Sequence, residues 1–112
     1  MSTSDLAPAI EAAWERRAEL TPASKGADIE AIEAALDLLD SGQARVAERG
    51  ADGAWVTHQW LKKAVLLSFR TTANQLIGAA SGNGDPSPGP YWDKVHSKFL
   101  GWGATAFERA GF

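Results

Sequence analysis

Apolar residues recur at helical spacing near the start of the chain. Between residues 4 and 20 they occupy one side of a helix and charged residues the other, which predicts an amphipathic helix; the apolar side holds Leu6, Ile10, Ala13 and Trp14. Ser4 can cap this helix, and Pro8 is compatible with it only in the first turn. The Thr21-Pro22 step predicts its end, because proline disfavours helical geometry in the residue before it.

A second helix is predicted over residues 28–39, where apolar side chains again repeat at helical spacing: Ile29, Ile32, Leu36 and Leu39. Gly42 is suited to the left-handed residue that ends many helices. The two helices then form a helical hairpin. Acidic residues at other positions of this helix predict a solvated face: Glu30, Glu33, Asp37 and Asp40.

The pattern then changes to that of a small β-hairpin. Asp52-Gly53 is a turn signal between the β-prone residues 44–49 and 55–57. Two strands alone are marginal in water, so we expect this hairpin to pack on the helices.

The most apolar stretch, residues 58–71, predicts a third helix with Thr57 as its cap. Apolar side chains cover most of its circumference, which is typical of a helix that is buried on several sides. We therefore expect it to be the central helix of the domain, with Leu66 and Phe69 in the core. The basic residues of this helix mark where it meets solvent: Lys62, Lys63 and Arg70.

The last third of the chain carries weaker signals. Residues 81–90, with the sequence SGNGDPSPGP, predict a flexible loop, because they offer too little apolar surface to offset the entropy of ordering. Residues 104–110 predict a short helix closed by Gly111.

These patterns place the chain in the mainly α class (α+β), as one small helical domain over residues 1–112 with one β-hairpin. The net charge of −3 is too mild to attract nucleic acid or anionic lipid by bulk electrostatics. The absence of cysteine excludes a disulfide framework and thiolate zinc sites. The first residues lack a signal-peptide pattern, and no apolar run approaches the roughly 20 residues that span a bilayer. We expect a cytoplasmic protein with neither a nucleic-acid nor a membrane partner.

Few residues point to chemistry. His58 and His96 are far apart, and no histidine spacing typical of a metal site is present, so surface or capping roles are favoured and no metal is expected. Ser68 has no nucleophile-elbow motif around it, and a hydrogen bond back to the helix backbone is favoured. The segment Gly82-Asn-Gly84 lacks the lysine and hydroxyl residues of a phosphate-binding loop.

One basic cluster could bind an anion. Lys62, Lys63 and Arg70 lie beside aromatic residues in the apolar helix, where they could hold a carboxylate or phosphate group. Ordinary solvation of the edges of a buried helix is the favoured interpretation.

Several segments of the chain are together similar to the N-terminal domain of tetrahydrodipicolinate (2,3,4,5-tetrahydropyridine-2,6-dicarboxylate) N-succinyltransferases. The longest and most unusual is WVTHQWLKKAVLLSFR at residues 55–70. The others follow the family's order and lie at residues 13–23, 38–48, 91–95 and 107–112. The resemblance covers nearly the whole chain.

The resemblance implies a full-length enzyme that transfers succinyl from succinyl-CoA to the amine of ring-opened tetrahydrodipicolinate, in the route to diaminopimelate and lysine. It also implies a homotrimer built around a left-handed parallel β-helix, with the helical domain as its cap. No hexapeptide repeat is present in this chain, so we expect the catalytic β-helix to be absent from it.

In the family, the catalytic carboxylates and a substrate-holding arginine follow the Gly-Phe that corresponds to residues 111–112. No catalytic residue is therefore assigned here, and we expect this fragment to be inactive alone and to bind no cofactor, with succinyl-CoA a cosubstrate of the full enzyme. Lys63 and Arg70 are candidates for lining the substrate's approach. The alternative hypothesis is a non-enzymatic helical protein-interaction module with the same fold.

Two positions depart from the family pattern. The loop at residues 81–90 is longer than in many members, and His96 stands where proline is common. Neither lies in the longest matching segment.

Overall fold

The structure, a computed structural model, describes residues 2–77, 90–99 and 101–112. The chain divides into two compact units, Met1–Ala73 and Asn74–Phe112. The buried apolar side chains among the described residues all belong to the first unit. None of the helices in the described ranges is long and apolar enough to cross a membrane. That residues 1–112 form one domain stays a prediction.

The first helix, α1, spans Thr3–Glu15 and buries the predicted side chains Leu6, Ile10 and Ala13. Its cap is Ser2, so the prediction of Ser4 was wrong. The Asp5 carboxylate explains the earlier start, because it accepts hydrogen bonds from the Ser2 hydroxyl at 2.6 Å and the Ser2 backbone N–H at 3.3 Å. These two bonds, the hydroxyl bond first, lower the pKa of Asp5.

Two details of α1 differ from the expectation. Pro8 lies inside the helix rather than in its first turn. Its ring points to solvent and removes only one helical hydrogen bond, which the burial of the opposite side outweighs. The helix also ends at Glu15, well before Leu20, and a 3₁₀ turn at Arg17–Glu19 follows it.

The second helix, α2, spans Ala27–Asp40, close to the predicted range. It buries Ala31, Ile32 and Ala35. The predicted acidic face is confirmed, since Glu30, Glu33, Asp37 and Asp40 are all exposed. Gly42 has a φ of 76°, the left-handed conformation expected at this helix end.

The first β-hairpin is confirmed. Strands β1, Ala47–Arg49, and β2, Trp55–Thr57, pair antiparallel with Arg49 opposite Trp55. Gly53 supplies a φ of 81° in the turn. The expected packing on the helices is limited to the segment before β1, where Ala44 and Val46 contact the core, because every residue of the two strands is exposed.

The third helix, α3, spans Gln59–Thr71 and packs against both α1 and α2. His58 is its cap, so the prediction of Thr57 was wrong; Thr57 is instead held in the hairpin opposite Ala47. The central position is confirmed for one side of α3, where Leu61, Ala64 and Leu67 are buried. Burial on several sides was wrong, because Leu66 and Phe69 are each 41% exposed.

The second unit contains a strand pair that the sequence did not predict. Strands β3, Gln75–Ile77, and β4, Tyr91–Asp93, pair antiparallel. The chain between them is long, so no tight-turn signal marks the pair. Helix α4, Ala104–Arg109, and the left-handed Gly111 after it (φ 82°) confirm the predicted ending. The predicted flexible loop lies, apart from Pro90, outside the described residues, as does Gly82-Asn-Gly84.

Candidate functional site

The histidines and the serine singled out in the sequence are each engaged locally. Ser68 donates to the Val65 carbonyl at 2.6 Å, as predicted. His96 Nε2 lies 2.7 Å from the Gln75 amide nitrogen. His58 occupies the N-cap position of α3 without a side-chain hydrogen bond to the helix, and its Nε2 lies 3.8 Å from Glu48 Oε1. Within the ranges that the structure describes, no group of three or more His, Asp or Glu side chains could hold a metal ion.

The solvent side of α3, which we call the outer face, combines exposed apolar and basic side chains. Lys62, Leu66, Phe69 and Arg70 make up this face, and all four are exposed. Their spacing of three and four residues places them on one side of the helix. The face is therefore apolar in the middle and basic at both ends, which sets it apart from the acidic face of α2.

Lys63 has partners on α1. Its ammonium donates to Glu11 Oε2 at 2.5 Å and lies 5.8 Å from the centre of the Trp14 ring. The side chains of Lys63 and Glu11 are 28% and 45% exposed, so water still reaches the pair. The contact between α1 and α3 thus fixes the position of this ammonium.

Arg70 has a different environment. It is exposed and lies in the last turn of α3. The negative end of the helix dipole stabilises a cation at this position. Arg70 follows Lys63 by seven positions, about two helical turns, so the backbones of the two residues lie on the same side of α3, about 10 Å apart along the axis. Their predicted role beside a substrate stays a prediction.

A cleft of about 200 Å³ lies at the opposite end of α3, where α3 begins. Its apolar surface comes from the segment before β1 and from the first turn of α3, and its residues are Thr3, Gln43, Ala44, Arg45, Glu48, His58, Trp60 and Leu61. Glu48 Oε1 and His58 Nε2 lie 3.8 Å apart at its edge. Sequence reasoning missed this cleft, because it forms only when the hairpin returns the chain to the start of α3.

A further ion pair supports the fold rather than a site. Arg16 Nη2 lies 2.7 Å from Asp28 Oδ1 and joins the end of α1 to the start of α2. The hydrogen bond to Asp28, and then its charge, raise the pKa of Arg16.

Comparison with known proteins shows which family the chain is similar to. Residues 5–71 match a family model described as tetrahydrodipicolinate N-succinyltransferase N-terminal. A 2,3,4,5-tetrahydropyridine-2,6-dicarboxylate N-succinyltransferase of Methylobacterium sp. (strain 4-46) is 57% identical over all 112 residues, which cover 38% of that relative. Proteins of the same name from Caulobacter vibrioides and Sinorhizobium fredii are 55% and 53% identical over 96% of this chain, covering 38% and 36% of their own lengths. The chain thus spans well under half the length of these relatives.

Proposed function

Because the chain belongs to the tetrahydrodipicolinate N-succinyltransferase N-terminal family, we propose that it is the helical N-terminal domain of an acyltransferase. The full-length enzyme transfers succinyl from succinyl-CoA to tetrahydrodipicolinate in the biosynthesis of diaminopimelate and lysine. The observation that carries this proposal is the match of residues 5–71 to the family, together with high identity along the whole chain.

The reaction requires a general base and hydrogen-bond donors, and we propose that neither comes from this domain. The amine nitrogen of the ring-opened substrate first forms a bond to the succinyl carbonyl carbon, which gives a tetrahedral oxyanion. The thioester C–S bond then breaks, and the amine proton ends on the CoA thiol. A base must take that proton, and donors must stabilise the oxyanion. We place both in the part of the enzyme beyond this domain, and we assign the domain a structural role.

The wider properties of the enzyme are part of the same proposal. We propose a cytoplasmic homotrimer that needs no metal or other cofactor and uses succinyl-CoA as cosubstrate. The mild charge of this domain supports the absence of a nucleic-acid partner.

Lys63 and Arg70 are the proposed contributions of this domain to the substrate's approach. Both substrates carry carboxylates, and two cations on one side of α3 can attract them. Glu11 holds the Lys63 ammonium in place, so part of its charge is already compensated. We therefore expect Arg70 to have the larger effect.

The activity of the full-length protein tests the proposal. CoA release from succinyl-CoA, followed with a thiol reagent, should depend on added tetrahydrodipicolinate. A full-length protein that releases no CoA above the rate without tetrahydrodipicolinate would contradict the assignment.

A matched set of variants tests the roles of the two cations. Lys63→Met and Glu11→Gln both remove the ion pair, but only the first removes the cation. If Lys63 lines the approach, Lys63→Met raises KM for tetrahydrodipicolinate and Glu11→Gln does not. Equal effects of the two variants would show that Lys63 has only a structural role.

Arg70→Gln should raise KM by roughly tenfold, equivalent to about 1.4 kcal/mol, and Arg70→Lys should restore part of the lost affinity. An unchanged KM in Arg70→Gln would remove Arg70 from the site.

The second candidate is a non-enzymatic helical interaction module. The exposed outer face of α3, with Leu66 and Phe69 between two basic residues, favours it. Under this hypothesis the outer face binds a partner, and the full-length protein has no succinyl transfer activity. The same CoA-release assay therefore separates the two candidates.

A further inference from the structure

The cleft at the start of α3 combines an apolar lining with a charged rim. Its volume of about 200 Å³ is smaller than that of clefts for drug-sized ligands, roughly 300–1,000 Å³, so it suits a smaller molecule. The buried Leu61 and the half-buried Ala44 and Trp60 supply the apolar lining. Arg45 and Glu48 are exposed and place one cation and one anion at the rim.

Backbone hydrogen bonds hold the walls of this cleft in place. The Ala44 N–H donates to the Leu38 carbonyl at 3.0 Å, which ties the segment before β1 to α2. The His58 N–H donates to the Val46 carbonyl at 2.7 Å, which ties the same segment to the start of α3. The cleft is therefore formed before a ligand arrives, and a preformed site loses less entropy on binding.

The two charged residues at the rim are able to bind groups of opposite charge. Among the residues that the structure describes, no carboxylate pairs with the Arg45 guanidinium. Glu48 Oε1 lies 3.8 Å from His58 Nε2, which is too long for a hydrogen bond. A ligand can therefore pair with the guanidinium and with the carboxylate without displacing a hydrogen bond of either.

We propose that this cleft binds a free amino acid with an apolar side chain. The α-carboxylate of the ligand pairs with Arg45, its α-ammonium pairs with Glu48, and its side chain lies against Trp60 and Ala44. Each feature of the cleft then has a complement on the ligand. The proposal goes beyond the proposed function, because it adds a ligand to a domain with a structural role and uses only residues of this chain.

The pair of opposite charges favours an amino acid over other small molecules. A dicarboxylate or a phosphate would bring a second negative charge close to Glu48, and like charges repel. A simple amine would leave Arg45 without a counter-charge. A molecule with no apolar part would leave the surface of Trp60 in contact with water and would lose the free energy of burying it.

A nuclear magnetic resonance titration of the isotope-labelled 112-residue chain with L-leucine tests the proposal. L-leucine should shift the amide signals of Ala44, Glu48 and His58 in a saturable way and leave those of α4 unchanged. The absence of a saturable shift up to the solubility limit of leucine would overturn the proposal. Saturable shifts confined to other parts of the chain would overturn the assignment to this cleft.

Three analogues that each lack one group of leucine test the individual contacts. Isocaproate lacks the ammonium and isoamylamine lacks the carboxylate, so each should bind roughly fivefold more weakly than L-leucine, the effect of one exposed ion pair. Glycine lacks the apolar side chain and should bind about tenfold more weakly or worse. Isocaproate or isoamylamine that binds as tightly as L-leucine would show that the ligand need not be an amino acid and would overturn the proposal.

Variants of the two rim residues assign each charge of the ligand to its partner. Arg45→Gln should bind L-leucine and isoamylamine with equal affinity, because the carboxylate then has no partner. Glu48→Gln should likewise bind L-leucine and isocaproate with equal affinity. Both side chains are exposed, so the variants should keep the fold. A preference for L-leucine that survives in both variants would overturn the assigned contacts.

Arg49→Gln is the matched control for Arg45→Gln. It removes the same charge from a position four residues further along the chain, which does not line the cleft. The Arg49 guanidinium instead lies 5.6 Å from the centre of the Trp55 ring. Arg49→Gln should keep the preference for L-leucine over isoamylamine. Loss of that preference in Arg49→Gln would show a general effect of net charge and would overturn the role of Arg45.

Discussion

Two adjacent leucines of α3 offer the sharpest test of how the first unit is packed. Leu67 is fully buried in the core of the first unit, and Leu66, its neighbour in the chain, is 41% exposed on the outer face. The same substitution to alanine at both positions removes the same atoms from the same helix. Any difference in cost therefore measures the environment.

The structure sets the two magnitudes. At Leu67, alanine loses the transfer energy of the side chain and leaves a cavity, which together cost about 3–5 kcal/mol. At Leu66, water fills the space that the side chain leaves, so no cavity forms. Full burial of a leucine contributes roughly 1.5–3 kcal/mol, and the variant loses only the fraction that corresponds to the buried part of this side chain. Alanine has a slightly better helix propensity than leucine, which offsets roughly a few tenths of a kcal/mol of this loss. We expect a net loss of about 1 kcal/mol there.

Urea unfolding followed by far-UV circular dichroism measures both losses, because α1, α2 and α3 carry most of the helical signal. The unfolding free energy is obtained by linear extrapolation, and equal slopes show that the unfolded states are comparable. A Leu66→Ala variant as unstable as Leu67→Ala, or a Leu67→Ala variant that loses under about 1 kcal/mol, would refute the assignment of the two faces of α3.

Two further predictions concern helix ends. Ser2 lowers the pKa of Asp5 in the folded chain, so its ionised form contributes stability above the ordinary value of 3.8, and that contribution is lost as the pH falls through the lowered pKa. Between pH 7 and pH 2, the melting temperature of Asp5→Asn should therefore fall less than that of the wild type. An identical pH dependence of the two melting temperatures would contradict this. Gly42→Ala should destabilise by about 1–2 kcal/mol in urea, because alanine is strained at a left-handed φ. Gly103, with a φ of −95° and open space around its Cα, is the control. Gly103→Ala should cost less than Gly42→Ala, because it loses only the preference for glycine over alanine at the N-cap of α4.

Local signals in the sequence predicted local structure well. Asp52-Gly53 predicted the hairpin turn, and Gly42 and Gly111 predicted two helix ends, because each of these conformations depends on a few adjacent residues. The acidic face of α2 followed from spacing alone. The family resemblance, now shown by the match of residues 5–71, came from several segments, of which residues 55–70 are the longest.

The errors arose where distant residues compete. Thr57 can cap a helix by its chemistry, but pairing with Ala47 in the hairpin takes precedence. The strand pair β3–β4 joins segments with a long stretch of chain between them, so no turn motif marked it. The apolar composition of α3 showed that the helix is packed but not which side faces its neighbours.

The candidate site was predictable only in part. The basic residues of α3 were visible in the sequence, yet the contact of Lys63 with Glu11 spans 52 positions and depends on how α1 and α3 cross. Phe112 contacts Phe99 and Phe107 only because the left-handed Gly111 turns the chain back over α4. Such contacts follow from tertiary packing, which spacing within one element does not encode.

The most direct test of the account is succinyl transfer by the 112-residue chain itself. We propose that this chain has a structural part and that the reacting groups lie elsewhere in the enzyme. With succinyl-CoA and tetrahydrodipicolinate both present, we therefore expect the chain to release CoA no faster than buffer does. Turnover by these 112 residues alone, dependent on tetrahydrodipicolinate, would contradict it.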